Sequence, residues 1–302
     1  MRSRVFVAVV AGVALVAAFA GAALAAPASS SKQRHLPAGS THVAPGSRGV
    51  RPQGALRNYI VESAVFDAPS GAQTAGVVEC PRHTVDLGGG ISIPSSSLLA
   101  NVADSNPLAG LGWHATANNA SGSDTSFIVL ALCAKAPKGY SILTDSADNP
   151  PGTQTPVRVT CPTGTKALGG GGGTTDGNTA TNLNTSSPYR HHGATGWDVH
   201  VNNNSTADNT AWAYVECGKV KGWSLQSSTA VDNPAETQSL ARVSCPGDTV
   251  PTGGGVFSGS TNLLTNINST YPESGMSGWS AWENNASTND QYMDALAVCA
   301  DL

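Results

Sequence analysis

Three segments of this chain repeat one spacing of cysteine, glycine, tryptophan and asparagine, and that repetition limits the possible folds more than any local pattern does. Cys80-Pro81, Cys161-Pro162 and Cys245-Pro246 each have a threonine four residues past the cysteine (Thr84, Thr165, Thr249). Three glycines follow at eight to ten residues: Gly88, Gly89 and Gly90; Gly169, Gly170 and Gly171; Gly253, Gly254 and Gly255. Upstream, a glutamine stands seven residues before each cysteine (Gln73, Gln154, Gln238) and a proline four before that (Pro69, Pro150, Pro234). Downstream, Gly112-Trp113, Gly196-Trp197 and Gly278-Trp279 lead to paired asparagines, and a second cysteine lies 20 residues past each tryptophan.

These matches define three units, residues 59–139, 140–222 and 223–302. Their ends are constant and the middle, between the glycines and the tryptophan, varies, which marks the ends as framework and the middle as loop. Within the second unit Trp197, Val199 and Val201 alternate with Asp198, His200 and Asn202, the period of a half-buried strand. "NNNSTADN" then turns the chain into a second strand, "TAWAYVEC". With 12% charged residues and 34 glycines, the composition suits turn-rich β structure better than long helices. The expectation is an all-β fold of three ~80-residue antiparallel β repeats, about five or six short strands each. They pack either with pseudo-threefold symmetry as a β-prism-like body or as tandem small β-sandwiches.

Before the units, Arg2 and Arg4 precede the apolar run "VFVAVVAGVALVAAFAGAALAA", which ends in Ala23-Leu24-Ala25, a small-x-small signal-peptidase site. Residues 1–25 therefore read as a signal peptide and the protein as secreted, with no membrane span after cleavage. Residues 26–58 are rich in Pro, Ser and Gly, carry Lys32, Arg34, Arg48, Arg51 and Arg57 without any acid, and read as a disordered basic linker. Beyond it all 20 acidic residues face nine Lys and Arg, a formal charge of −11, which opposes nucleic-acid binding by the folded part.

Six cysteines in an exported chain predict disulfides. Six allow 15 pairings, but equivalence of the three units leaves chiefly two. Pairing within units (Cys80–Cys133, Cys161–Cys217, Cys245–Cys299) needs no ring closure and is expected. The other pattern shifts each bridge by one unit, joining Cys133 to Cys161, Cys217 to Cys245 and Cys299 to Cys80.

The combined motif CPxxT…GGG…GW…NNxS…C resembles a module of uncharacterised secreted bacterial β-repeat proteins, over almost the whole of residues 59–302. More loosely the arrangement is similar to the vitelline membrane outer layer protein I family, whose three β repeats form a pseudo-threefold β-prism. The likeness implies a fold and no activity.

Motifs that carry chemistry are few. "CPTGTKALGGGGG" (residues 161–173) has its Lys166 before the glycines, whereas a phosphate-binding P-loop places lysine after them. The sister copies keep the glycines and drop the lysine. The shared glycines therefore read as a bend, a bulge or a close approach to a strand or tryptophan, and Gly172 and Gly173 as part of this copy's own loop. No cofactor motif is present, and no G-x-S-x-G, HExxH or catalytic Cys-His pattern. His191, His192, Asp198 and His200 form the one histidine cluster and are weak candidates for a metal. Glu216, Glu283 and Asp294 are candidate acids for glycoside hydrolysis.

Trp113, Trp197 and Trp279 recur in all copies and are expected in the core. Trp212, Tyr214 and Trp282 do not recur, and their strand positions make them candidates for stacking on a ligand. The expectation is a secreted noncatalytic binding or structural protein that engages a cell-wall polymer, a glycan or a surface protein through loops on three similar scaffolds. The alternative is a secreted hydrolase acting on a glycan from one unit, chiefly the second.

Overall fold

The computed structural model describes residues 56–174 and 177–302. The signal segment and most of the basic linker lie outside the described residues. Leu56, at the linker's end, is buried and its amide donates to the Asp301 carbonyl at 3.0 Å, so the packed chain already includes residues 56–58.

The fold is all-β. The first unit contributes β1 (Ile60–Ala68), β2 (Ala72–Glu79), β3 (Val85–Ser92), β4 (Ala100–Pro107), β5 (Gly112–Asn119) and β6 (Thr125–Ala134). The second contributes β7 (Lys138–Asn149), β8 (Thr153–Thr160), β9 (Lys166–Gly173), β10 (Thr181–His191), β11 (Ala194–Asn203) and β12 (Asn209–Lys219). In the third, the leading strand is split into β13 (Ser224–Ser227) and β14 (Val231–Asn233). It is followed by β15 (Thr237–Ser244), β16 (Thr249–Ser258), β17 (Thr265–Pro272), β18 (Gly278–Asn285) and β19 (Gln291–Asp301).

No unit keeps its strands together. The first sheet runs β1-β6-β3-β17-β18-β15, the second β2-β5-β4-β9-β12-β7, and the third β8-β11-β10-β16-β19-β13, with β14 also on β19. Each sheet thus joins strands of two units, and the units follow one another cyclically around three sheets. This is a pseudo-threefold prism of interlocked units, not a string of beads. Every strand pair is antiparallel, and the inter-unit seams are short: Ile91 opposite Thr270, Ser105 opposite Gly172, and Ser186 opposite Val256.

The glycine run makes these seams possible. A Cβ added at Gly90, Gly171 or Gly255 would lie 2.2, 1.8 or 1.8 Å from the carbonyl oxygen of Thr270, Ser105 or Ser186 on the neighbouring unit. The middle glycines Gly89, Gly170 and Gly254 lie against the indoles of Trp113, Trp197 and Trp279, where a Cβ would come within 2.3, 2.6 and 2.4 Å. The first glycines meet one another around the pseudo-threefold axis. A Cβ on Gly88 would approach Gly253 Cα at 3.0 Å, one on Gly253 would approach Gly169 Cα at 2.6 Å, and one on Gly169 would approach Gly88 Cα at 2.6 Å. Only residues without a side chain permit all three approaches.

The other shared residues serve the same body. The buried indoles donate to Ser105 Oγ (2.8 Å), Ser186 Oγ (3.0 Å) and Thr270 Oγ1 (2.7 Å), which satisfies their N–H groups inside the core. Asn118, Asn202 and Asn284 each donate to a carbonyl of the next unit in the cycle: Thr181 (2.7 Å), Thr265 (2.9 Å) and Ala100 (2.9 Å). Gln73, Gln154 and Gln238 donate to the side-chain oxygens of those asparagines. The leading aromatic of each unit reaches the unit before it, Tyr59 to the Pro251 carbonyl (2.5 Å), Tyr140 to Asp86 (2.8 Å) and Trp223 to Ala167 (2.7 Å).

Disulfides join Cys80 to Cys133, Cys161 to Cys217 and Cys245 to Cys299. Each links the end of a strand in one sheet to a strand of another: second to first, third to second, first to third. The bridges span 53, 56 and 54 residues, for which chain entropy alone gives about 4 kcal/mol apiece.

Gly89→Ala is expected to destabilise the protein by about 3 kcal/mol, because neither the Trp113 ring nor the Leu130 carbonyl has room to retreat. Gly122→Ala, in open space, is expected to stay within about 0.5 kcal/mol of the parent in denaturant melts. Equal effects would show that the glycine run is not constrained by packing.

Candidate functional site

Trp212 and Tyr214 lie on β12, two residues apart, on the face turned away from the core; Ala211, Ala213 and Val215 between and beside them are fully buried. The strand beside them is β9, with Gly173 opposite Trp212 and Gly171 opposite Tyr214. Across β9 comes β4 of the first unit, where Asp104 stands opposite Gly173, and beyond it β5, where His114 stands opposite Asn106. Because β9 is glycine throughout residues 169–173, the aromatics and the polar residues face each other over a bare floor. The result is a groove of about 380 Å³ lined by Asp104, Asn106, His114, Gly173, Trp212 and Tyr214.

One wall is apolar and partly exposed, with Trp212 at 37%. The other is polar and held in place. His114 Nδ1 lies 2.7 Å from Asp104 Oδ1, with the His114 side chain 22% and the Asp104 side chain 2% exposed. That hydrogen bond raises the His114 pKa above its ordinary value, while burial opposes the rise and the Asp104 charge adds to it. His114 Nδ1 faces Asp104 Oδ1, and the partly exposed edge of the ring borders the groove.

The sister sheets depart from this arrangement. Ser92 in the first sheet and Phe257 in the third take the place of Gly173 and put a side chain on the floor. The groove also lies on strands at an inter-unit seam, not on the variable loops where the repeat pattern places ligand contacts. Gly172 and Gly173, read from the sequence as loop, belong to β9, because the strand runs on through the seam.

Other candidate residues do not converge. Trp282 is on β18 of the first sheet, where its indole donates to the Tyr271 hydroxyl at 3.3 Å, so it cannot share a ligand surface with Trp212 and Tyr214 in the second. Asp198 bonds Arg158, with His200 Nε2 at 3.7 Å from its other oxygen. His191 and His192 are exposed at the far end of the β10–β11 hairpin; His191 is four residues beyond Ser187, which faces Asp198, roughly 13 Å along the strand. Among the described residues no group of three or more His, Cys, Asp or Glu is placed to hold a metal.

Glu216 and Glu283 are fully buried, and Asp294 is on β19 of the third sheet. Glu216 replaces the Leu132 and Val298 of the sister units, each one residue before the second cysteine. It meets Asp86, and the Tyr140 hydroxyl closes over the pair. Burial raises the pKa of both acids, and the Asp86 charge drives Glu216 further up. Burial pushes Glu283 up to about 8 against the hydrogen bonds it accepts from Ser258 and Asn233.

No protein-family model matches the chain, and no curated protein matches it.

The buried acids make a pH prediction. Glu283 keeps its proton in the folded chain up to about pH 8 but releases it near its ordinary 4.5 when unfolded. Stability contributed by this group is full below about 4.5 and falls as pH rises toward 8, by roughly 1.4 kcal/mol per pH unit within that window. Glu283→Gln is expected to melt increasingly above the parent as pH rises through the window. A gap between the two that does not change with pH would contradict the assignment.

Proposed function

We infer that this is a secreted, noncatalytic glycan-binding protein whose site is the groove of the second sheet. The observation that carries the reading is a partly exposed Trp–Tyr pair facing Asp104, Asn106 and His114 across a glycine floor. A sugar ring has an apolar C–H face and a rim of hydroxyls. Stacking on the indole buries the face, while the Asn106 amide and the His114 imidazole, braced from behind by the buried Asp104 carboxylate, meet the rim with acceptors and donors. The cavity of about 380 Å³ is suited to one or two rings of a longer chain.

Export is supported by the N-terminal signal pattern and by cysteine usage. The described residues include three disulfides and no free cysteine, a state maintained in oxidising compartments. No helix among the described residues is long and apolar enough to cross a membrane. Hydrolysis of the glycan is the weaker reading. Glycosidases set two carboxyl groups about 5–9 Å apart on either side of the bond. This groove offers Asp104 alone, already bonded to His114, while Glu216 and Glu283 are enclosed in the core.

Screening of surface and cell-wall oligosaccharides, followed by calorimetry on the best ligand, tests the reading. Trp212→Ala is expected to weaken binding about tenfold or more, the scale of one lost stacking contact, while Trp282→Ala leaves it unchanged. Equal losses from both variants, or no glycan bound at all, would remove the groove as the site.

A further inference from the structure

We propose that the junction of the first and second units holds a phosphate-type oxyanion, at a site separate from the groove. A cavity of about 240 Å³ is lined there by Leu56, Arg57, Lys135, Ala136, Pro137, Lys138 and Lys219. Four of its seven lining residues are cations and none is an acid. From Arg57 onward the chain has ten Lys and Arg against 20 acids, so nearly half its positive charge converges on one cavity of an acidic body.

The fold brings these cations together from separate stretches. Lys138 opens β7 and pairs in register with Lys219 at the end of β12. The Lys135 amide donates to the Arg57 carbonyl at 2.8 Å, which ties the entering chain to the turn between β6 and β7. All four side chains are exposed at their heads, and among the described residues none of the four forms an ion pair with a carboxylate. By contrast, Arg158 and Arg242 are each paired with an acid. Four like charges around one concavity repel one another, and an anion seated among them reverses that cost.

Comparison of the units sharpens the assignment. Lys135 and Lys219 each stand two residues past their unit's second cysteine, and the third unit has Asp301 at that position. The junction of the second and third units also brings Asp301 against Gly222, where a Cβ on the glycine would meet its carboxylate. A negative charge there spoils the corresponding pocket, so the second–third junction lacks the cationic lining of the first–second.

Size and chemistry select the ligand class. The cavity is smaller than the ~300 Å³ at which drug-sized sites begin, so it accommodates one compact oxyanion. Lysine ammonium groups act as strongly hydrated point charges suited to a phosphoryl group. The site also lies roughly 23 Å along β12 from Trp212, too far for one sugar unit to touch both.

The test is a titration of the folded protein with inorganic phosphate, followed by amide chemical shifts. The expected result is saturable shifts confined to Arg57, Lys135, Lys138, Lys219 and their neighbours, with affinity in the millimolar range or tighter. Raising sodium chloride to about 0.5 M is expected to weaken it several-fold. The double variant Lys138→Gln, Lys219→Gln is expected to lose about tenfold in affinity with an unchanged melting temperature, both side chains being exposed. If that variant instead melts lower, Arg57→Gln, at a separate exposed position, provides the same comparison. Shifts that do not saturate, or that persist in the variants, overturn the proposal. Two further arms separate the sources of the phosphate. A glycerol phosphate oligomer that competes with inorganic phosphate supports the site, whereas binding seen only with anionic phospholipid vesicles and never with phosphate in solution counts against it.

Discussion

The close approach of three glycine-bearing strands is the contact on which the rest of this molecule depends. Gly88, Gly169 and Gly253 come within touching distance around the pseudo-threefold axis, and each following glycine receives the indole of its own unit's framework tryptophan. The third glycine lets the strand lie against a carbonyl of the neighbouring unit. One three-residue run thereby sets the axis, the core and the seam at once. A side chain at any of these points would push the sheets apart, and the inter-sheet disulfides would then hold a strained body together instead of a packed one.

Symmetry accounts for the framework, and departures from it account for the chemistry. Where a residue recurs in all three units, its role here is structural: the asparagine pairs bond backbone carbonyls, and the CPxxT threonines bond the proline carbonyl three residues back. Where one unit differs, a distinctive environment results. Gly173 in place of Ser92 or Phe257 opens the groove, Glu216 in place of a leucine or valine puts a second carboxyl group beside Asp86 in the core, and Lys219 in place of Asp301 completes a cationic pocket. The acids of the core and the lysines of the junction are separated, so a mostly acidic protein presents a basic concavity.

Much of the framework was legible in the sequence, because each copy tests the others. The burial of Trp113, Trp197 and Trp279 and the turn role of the asparagines follow from recurrence and period alone. The division of each unit's strands between two sheets does not, since nothing local marks which sheet a strand will join. The groove was half visible for the same reason. Trp212 and Tyr214 stood out as aromatics without counterparts, but Asp104, Asn106 and His114 come from another unit, about a hundred residues away, across a seam set by tertiary packing. The signal in the sequence is Gly173, an extra glycine beyond the shared three, which the broken repeat assigns to a loop. Trp282 looked equivalent to Trp212 in sequence and proved to belong to a different sheet.

A unit completes no sheet by itself. Expression of residues 140–222 alone, with its disulfide formed, tests this most directly. The prediction is a poorly dispersed amide spectrum and no cooperative melt, because β9 would lack β4, β10 would lack β16, and the axis glycines would lack their partners. A dispersed spectrum with a sharp unfolding transition would show that each unit is an independent domain, and would contradict the interlocked prism.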